Sequence, residues 1–361
     1  MAPWLHYRLK ANMVTSPNGS DPPVVTIAWQ FRGRLLAADS AASRSLIEAY
    51  RPVWTGIKSD IDSLIAESVD RQLGPAQVER LARLQKIERQ IASEMTKFSA
   101  FAGGRITTAQ SQSVALALQS VRRSVDAALP LGIDTRLLAR AGIEWVNLPA
   151  EAFVQFVGFS QDGAPLSKLL DQIGPGVRQG VTESIGEGLA RGLSPRDTAV
   201  LVRNRVGMGL TRALAISRTE TLRSFREASR LQYAANGNIV KRYRRVSAKD
   251  SRVCMACMAL DDKVYELDQP LDEHVNGRCA IIPETVTYRD LGIPVDQAPF
   301  NRETAEGWFA KQPESTQLQM MGPARFEAWR AGDFEWADMA KVESNPIWGD
   351  QAVTKPVSEL I

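Results

Sequence analysis

Cysteine and histidine are scarce in this chain: 361 residues hold three of the first and two of the second. So few thiols exclude the disulfide framework of a small secreted protein. No apolar run approaches the roughly 18 residues that cross a bilayer, so neither a membrane span nor a membrane partner is expected. Met1 to Lys10 has no apolar stretch ahead of a small-residue cleavage site, which argues against a secretory signal and for synthesis in a reducing cytosol. No Walker loop, dinucleotide fingerprint or Gly-x-Ser-x-Gly elbow occurs, which excludes the commonest nucleotide-binding and hydrolase sites. The composition is otherwise ordinary, 44% hydrophobic and 24% charged, and the length suits two or three units.

The few thiols are not scattered. Cys254, Cys257 and Cys279 fall together, and His274 lies among them. In order they read Cys-x-x-Cys, a spacer, then His-x-x-x-x-Cys. Three thiolates and one imidazole are the donor set of a closed tetrahedral zinc site. Cys254 and Cys257 span a tight knuckle, and His274 and Cys279 bracket the turn-prone Asn276-Gly277. The competing reading is three ordinary buried cysteines; a disulfide ranks below both.

Charge is segregated as well. Between Arg203 and Arg252 thirteen Lys or Arg stand against three acids, although the net charge of the chain is only +3. A polyanion or an acidic protein surface is one partner such a segment suits; a solvated helical face is the other reading. Lys241, Arg242, Arg244 and Arg245 share one strand-like stretch, Ile239 to Val246, and with Lys249 and Arg252 could contact DNA phosphates without reading sequence. Salt bridges to the acidic remainder of the chain are the alternative.

Most of the rest reads as helix. Val24 to Trp29 is β-branched and is expected to form a strand or an extended arm. From Ala37 to Leu129, apolar residues recur at helical spacing: Val53, Ile57, Ile61, Leu64 and Ile65, then Leu81, Leu84, Ile87, Ile91, Met95 and Phe98. Gly74-Pro75 and Gly103-Gly104 are the expected breaks, giving three amphipathic helices whose stripes are either core or a docking surface. Ser194, Pro195 and Asp197 form a helix start, with an interruption expected at Gly207-Met208-Gly209. Asn236-Gly237-Asn238 turns the chain. After Pro283, two short helices are expected around Arg302–Lys311 and Glu314–Arg330, followed by an irregular end. The expected organisation is an N-terminal arm over 1–36, a helical bundle or hairpin over 37–130, a connector over 131–179, a domain over 180–285 and a tail over 286–361.

Within that domain, Arg218-Thr219-Glu220 on a helix leads to Asn236-Gly237 and the basic strand. Then come Asp250-x-x-x-Cys254-x-x-Cys257, Leu260-Asp261-Asp262, and His274-Val275-Asn276-Gly277-Arg278-Cys279. This succession resembles the phage Mu F-like family of head morphogenesis proteins, whose signature is an Arg-Thr-Glu helix, Asp-x-x-x-Cys-x-x-Cys, a Leu-Asp-Gly turn and a His-Pro-x-Cys-Arg-Cys close. Gln312-Pro313-Glu314 and Gly322-Pro323 are also similar to sequence trailing that domain. Three positions depart from the pattern: Asp262 stands for Gly, Val275 for Pro and Gly277 for Cys. Cys254, Cys257, His274 and Cys279 remain as the full ligand set.

The resemblance implies an α+β, mostly α-helical protein: an elongated helical N-terminal region followed by a small zinc-knuckle-like domain. It implies a minor capsid protein inside the virion head, assembled in the host cytoplasm, with the portal protein, a scaffold or major capsid protein and double-stranded DNA as partners and structural zinc as cofactor. Arg218, Thr219, Glu220 and Asp250 become structural motif residues. Arg218 and Glu220, two apart on a helix, face different sides, and one of them is expected to pair with the neighbouring strand or knuckle. The rival is an enzyme on the same domain, either DNA-processing or ADP-ribosyl-transferring. A knuckle nuclease needs a second metal-holding cluster, and His274 is already used. A deaminase needs its His-x-Glu ahead of the cysteine pair, the reverse of the order here.

Overall fold

The computed structural model describes residues 21–69, 76–160, 163–191, 193, 195–345 and 348–361. Met1 to Lys10, the Gly74-Pro75 break and the Ser194 cap lie outside the described residues, as do the side chains of Ile61, Leu64, Ile65, Leu81, Leu84 and Ile87. The chain is mostly helical, with a small antiparallel sheet. In order it forms α1 (Pro23–Val69), α2 (Ala76–Ala128), α3 (Thr135–Arg140), α4 (Leu166–Asp171), α5 (Ile173–Ala190), α6 (Pro195–Ala234), β1 (Val240–Val246), α7 (Met255–Ala259), β2 (Val264–Glu266), β3 (Ala280–Thr285), α8 (Ala305–Ala310), α9 (Glu314–Met321), α10 (Pro323–Ala331), β4 (Ala340–Asn345) and β5 (Gly349–Thr354). Among the described residues no helix is long and apolar enough to cross a membrane.

The contacts divide the chain into two compact units. The first comprises Ala38–Ala109 and Gly158–Glu220 and is helical. Its core takes up the described members of the apolar stripes, Val53, Ile57, Ile91, Met95 and Phe98, together with Leu46. Tyr50 is fully buried, meets Phe98 edge-on at 4.8 Å, and donates its hydroxyl to the Val206 carbonyl. Two expected breaks are absent. The Gly103-Gly104 pair lies within α2, and Gly207-Met208-Gly209 lies within α6. Close packing supplies the reason at Gly209, where a Cβ would sit 2.9 Å from Val177 Cγ2 and 3.2 Å from the Tyr50 hydroxyl. The glycine allows neighbouring helices to approach, and that packing outweighs its poor helix propensity.

The second unit comprises residues 21–37, Gln110–Val157 and Thr221–Ile361. Here the Val24–Trp29 stretch is the start of a helix, contrary to expectation. Val24, Val25, Ala28 and Trp29 fall on one helical face and pack against Val246, Ala280 and Ile282, so burial overrides the β-branched preference. The sheet has the order β2-β1-β3, antiparallel throughout, with Tyr243 opposite Tyr265 on one side and Pro283 on the other. The two tyrosine rings stack at 5.2 Å. Asn236, in the expected turn, accepts from the Val146 amide at 2.8 Å and donates to the Val146 carbonyl at 2.9 Å, acting as a strand partner for that loop. The expected irregular end instead contains a hairpin, β4 paired with β5 from Ala340↔Thr354 to Asn345↔Gly349.

Gly104 and Gly209 make opposite predictions. Nothing stands within 4 Å of a Cβ at Gly104, so Gly104→Ala should stabilise by about 0.5–1 kcal/mol. Gly209→Val should cost about 1–3 kcal/mol through overpacking. Thermal unfolding of the two variants checks both, and equal midpoints would refute the packing account.

Candidate metal centre

The knuckle is built at the start of α7. Cys254 is its N-cap residue, with Sγ accepting from the Cys257 amide at 3.4 Å. Cys257 follows inside the first turn and is buried. His274 and Cys279 come from the loop that leads into β3, turned by Asn276 at φ 63°. The Nε2 of His274 lies 3.1 Å from both Cys254 Sγ and Cys257 Sγ. Its Nδ1 lies 2.8 Å from the Val275 carbonyl. A carbonyl can only accept, so Nδ1 carries the proton and the lone pair of Nε2 faces the thiols. That is the tautomer a metal-binding imidazole needs.

Two overlapping groups could hold a metal, Cys254 with Cys257 and His274, and Cys257 with Glu273 and Cys279; within each, the candidate donor atoms lie within 4.8 Å of one another. Cys257 belongs to both. The four residues expected from sequence thus gather around it, with Cys279 reached through the second group. As free thiols, Cys257 and Cys279 are both pushed well above the ordinary cysteine value, Cys257 by its hydrogen bond with Cys254, Cys279 by its hydrogen bond with Cys257, and each by burial. Cys254 is pulled down, chiefly by its hydrogen bond with Cys257. A coordinated cation reverses the upward shifts, because a ligating thiol is deprotonated. Soft sulfur donors with an imidazole fit a thiophilic divalent ion.

The surroundings hold residues that the sequence did not single out. Glu273 is buried and accepts from the His274 amide and the Cys279 amide, each at 3.3 Å, so one carboxylate clips together the backbones of two candidate ligands. Burial alone would raise its pKa, but the Arg245 and Arg226 guanidiniums outweigh that and hold it at about 2. Its place in the chain, immediately before a candidate ligand, is the one signal that could have marked it. The volume it fills is explained by Gly277, where a Cβ would lie 2.2 Å from the Glu273 carboxyl. The position where the family pattern has a cysteine is therefore occupied by a carboxylate from the preceding turn. Asp262, which stands where the pattern has glycine, keeps the left-handed backbone at φ 68°, a conformation Asp tolerates better than most residues.

The basic strand divides. Arg245 is fully enclosed, donating to Asp272 at 2.9 Å, Glu273 at 3.1 Å and Cys257 Sγ at 3.3 Å. Lys249 is buried beside Asp261 at 3.5 Å and donates to the Glu303 carbonyl. The charged ends of both are taken up by partners within the fold. Arg244 and Arg242 both pair with Glu284 from β3, while Arg242 stays half exposed. Asp250 holds Arg278 with two hydrogen bonds of 2.6 and 2.7 Å and also pairs with Arg252.

The Arg-Thr-Glu helix motif lies at the end of the first unit. Arg218 pairs with Asp39 of α1 at 2.8 Å. Thr219 donates back to the Ala215 carbonyl at 2.7 Å. Glu220 is fully buried.

The full chain purified from cytosol should carry one thiophilic metal ion per chain. Cys257→Ser, which removes the residue shared by both groups, should abolish it. Elemental analysis showing no metal in either protein would sink the assignment.

No curated protein and no solved structure matches the chain. Residues 179–282, under a third of the chain but including every candidate ligand and the whole Arg-Thr-Glu helix motif, match the family model described as "Phage Mu protein F like protein".

Proposed function

We propose that this chain is a minor head protein of a tailed phage or prophage, acting in head assembly next to the portal and residing in the virion interior. The observation that carries the reading is the match over 179–282, which encloses the knuckle and its ligand candidates. The metal is zinc, and its role is structural: three thiolates and one imidazole leave no open position for a substrate or an activated water. The enclosure of Glu220 supports the same view, since a carboxylate sealed in helix packing cannot contact a nicotinamide ring. The organisation proposed is the one expected from sequence, with the head morphogenesis domain over 180–285.

Contact with the portal falls to the helical region over 37–130. Because its described stripe residues are spent on core, the contact surface is the outward face, where Phe101 is 42% exposed. The full chain should co-purify with the portal protein encoded beside it and remain in purified heads. Phe101→Glu should weaken that association about tenfold while leaving thermal stability unchanged. Absence of the chain from purified heads overturns the reading, and so does a turnover activity lost in Glu220→Gln.

Contact with packaged DNA would rest on Lys241, Arg242 and Arg252, which face solvent. Binding is then weak, independent of sequence and salt-sensitive. Replacing all three by alanine should flatten the slope of log affinity against log salt by about 2–3 units. An unchanged slope assigns the basic surface to a protein partner instead.

A further inference from the structure

Arg32, near the start of α1, is 2% exposed, and its guanidinium stacks 4.4 Å from the centre of the Trp29 ring. Stacking satisfies the face of the guanidinium and leaves its edge. None of the three nitrogens along that edge has a hydrogen-bond acceptor among the described residues. A buried cation with all its donors unanswered is among the costliest groups a fold can carry. The edge lines a cavity of about 20 Å³ walled by α1, α2, α6 and the loop entering β3.

Two more guanidiniums line the same cavity, Arg226 and Arg278, and no carboxylate does. Arg278 spends both terminal nitrogens on Asp250. Arg226 reaches the carbonyls of Gly277 and Cys279 only at 3.4 Å. Two hydroxyls on the wall are turned to the backbone: Ser120 donates to the Ala117 carbonyl and Ser229 to the Phe225 carbonyl, each at 2.8 Å. Burial, reinforced by the charge of Arg278, pulls the Arg32 guanidinium down to about 10. Three positive groups thus converge on one small enclosed volume.

We propose that this cavity is a binding site for a small inorganic anion, held in the plane of the Arg32 guanidinium and backed by Arg226. Charge selects the ligand class, because a neutral water satisfies one N–H but brings no charge to answer Arg32, whose guanidinium has no hydrogen-bond partner while Arg278 is paired with Asp250. Size selects within the class: the cavity takes little more than one water-sized particle, which suits a halide and not a tetrahedral oxyanion. The site is separate from the metal centre, although Cys279 and Arg278 sit in the wall between them.

Bromide is the probe. The full chain is melted at fixed ionic strength in sodium bromide and in sodium gluconate, and crystals grown in bromide are measured at its absorption edge. Bromide should raise the midpoint by about 2–4 °C and give an anomalous peak within hydrogen-bond distance of Arg32. Arg32→Met, which keeps the length of the side chain and removes its charge, should lose the bromide dependence and be no less stable than the parent in gluconate. Equal midpoints with no anomalous peak at Arg32 overturn the site, and the crystal measurement on the parent protein decides the matter even if the variant fails to fold. Stabilisation by phosphate without any by bromide overturns the halide assignment.

Discussion

The charge of Arg245 is met entirely inside the protein, and the knuckle takes its form from how that is done. Desolvating a guanidinium is tolerated only when acceptors are fixed in place, and losing one partner of such a buried pair costs about 3–5 kcal/mol. Here β1 delivers the guanidinium, the loop before β3 delivers Asp272 and Glu273, and α7 delivers Cys257. Those three contacts fix the strand, the loop and the short helix against one another. The candidate ligands sit on the loop and the helix. A positive group beside Cys257 also offsets the negative charge that thiolate ligands bring to a metal, so one residue serves the fold and the site together.

The opposite face of the knuckle is closed by the C-terminal segment. Arg302 is buried with Asp261 and Asp262, which lie just after α7. Trp336 donates to the Met258 carbonyl at 3.2 Å, and the Ala256 amide donates to Thr354 at 3.1 Å. Phe309, Trp329 and Trp336 form an aromatic cluster, with ring centres 5.3 to 6.0 Å apart. A helix as short as α7 has little intrinsic stability, and it is held by what covers it on each side.

Much of the site was legible in the sequence because its signals are local or chemically rare. A Cys-x-x-Cys pair can form a knuckle wherever it falls, and a lone histidine among such scarce cysteines is an improbable coincidence unless the four share a task. The long helices were legible from their apolar spacing. What was not legible depends on distant packing. Gly209 breaks a helix in isolation and permits one here because Tyr50 and Val177 fill the space above it. Val24 to Trp29 reads as strand because β-branched residues favour strands, yet the sheet these residues pack against comes from more than two hundred residues later in the chain. The division of the basic strand between buried and exposed cations followed from acids at 272, 273 and 284, whose proximity no spacing rule announces.

Glu273 and Gly277 illustrate a different kind of dependence. The carboxylate lies where a side chain at 277 would begin, so the two positions share a single volume and only one of them can fill it. Any side chain at 277 would have to displace that carboxylate, and with it the clip that holds the His274 and Cys279 amides together.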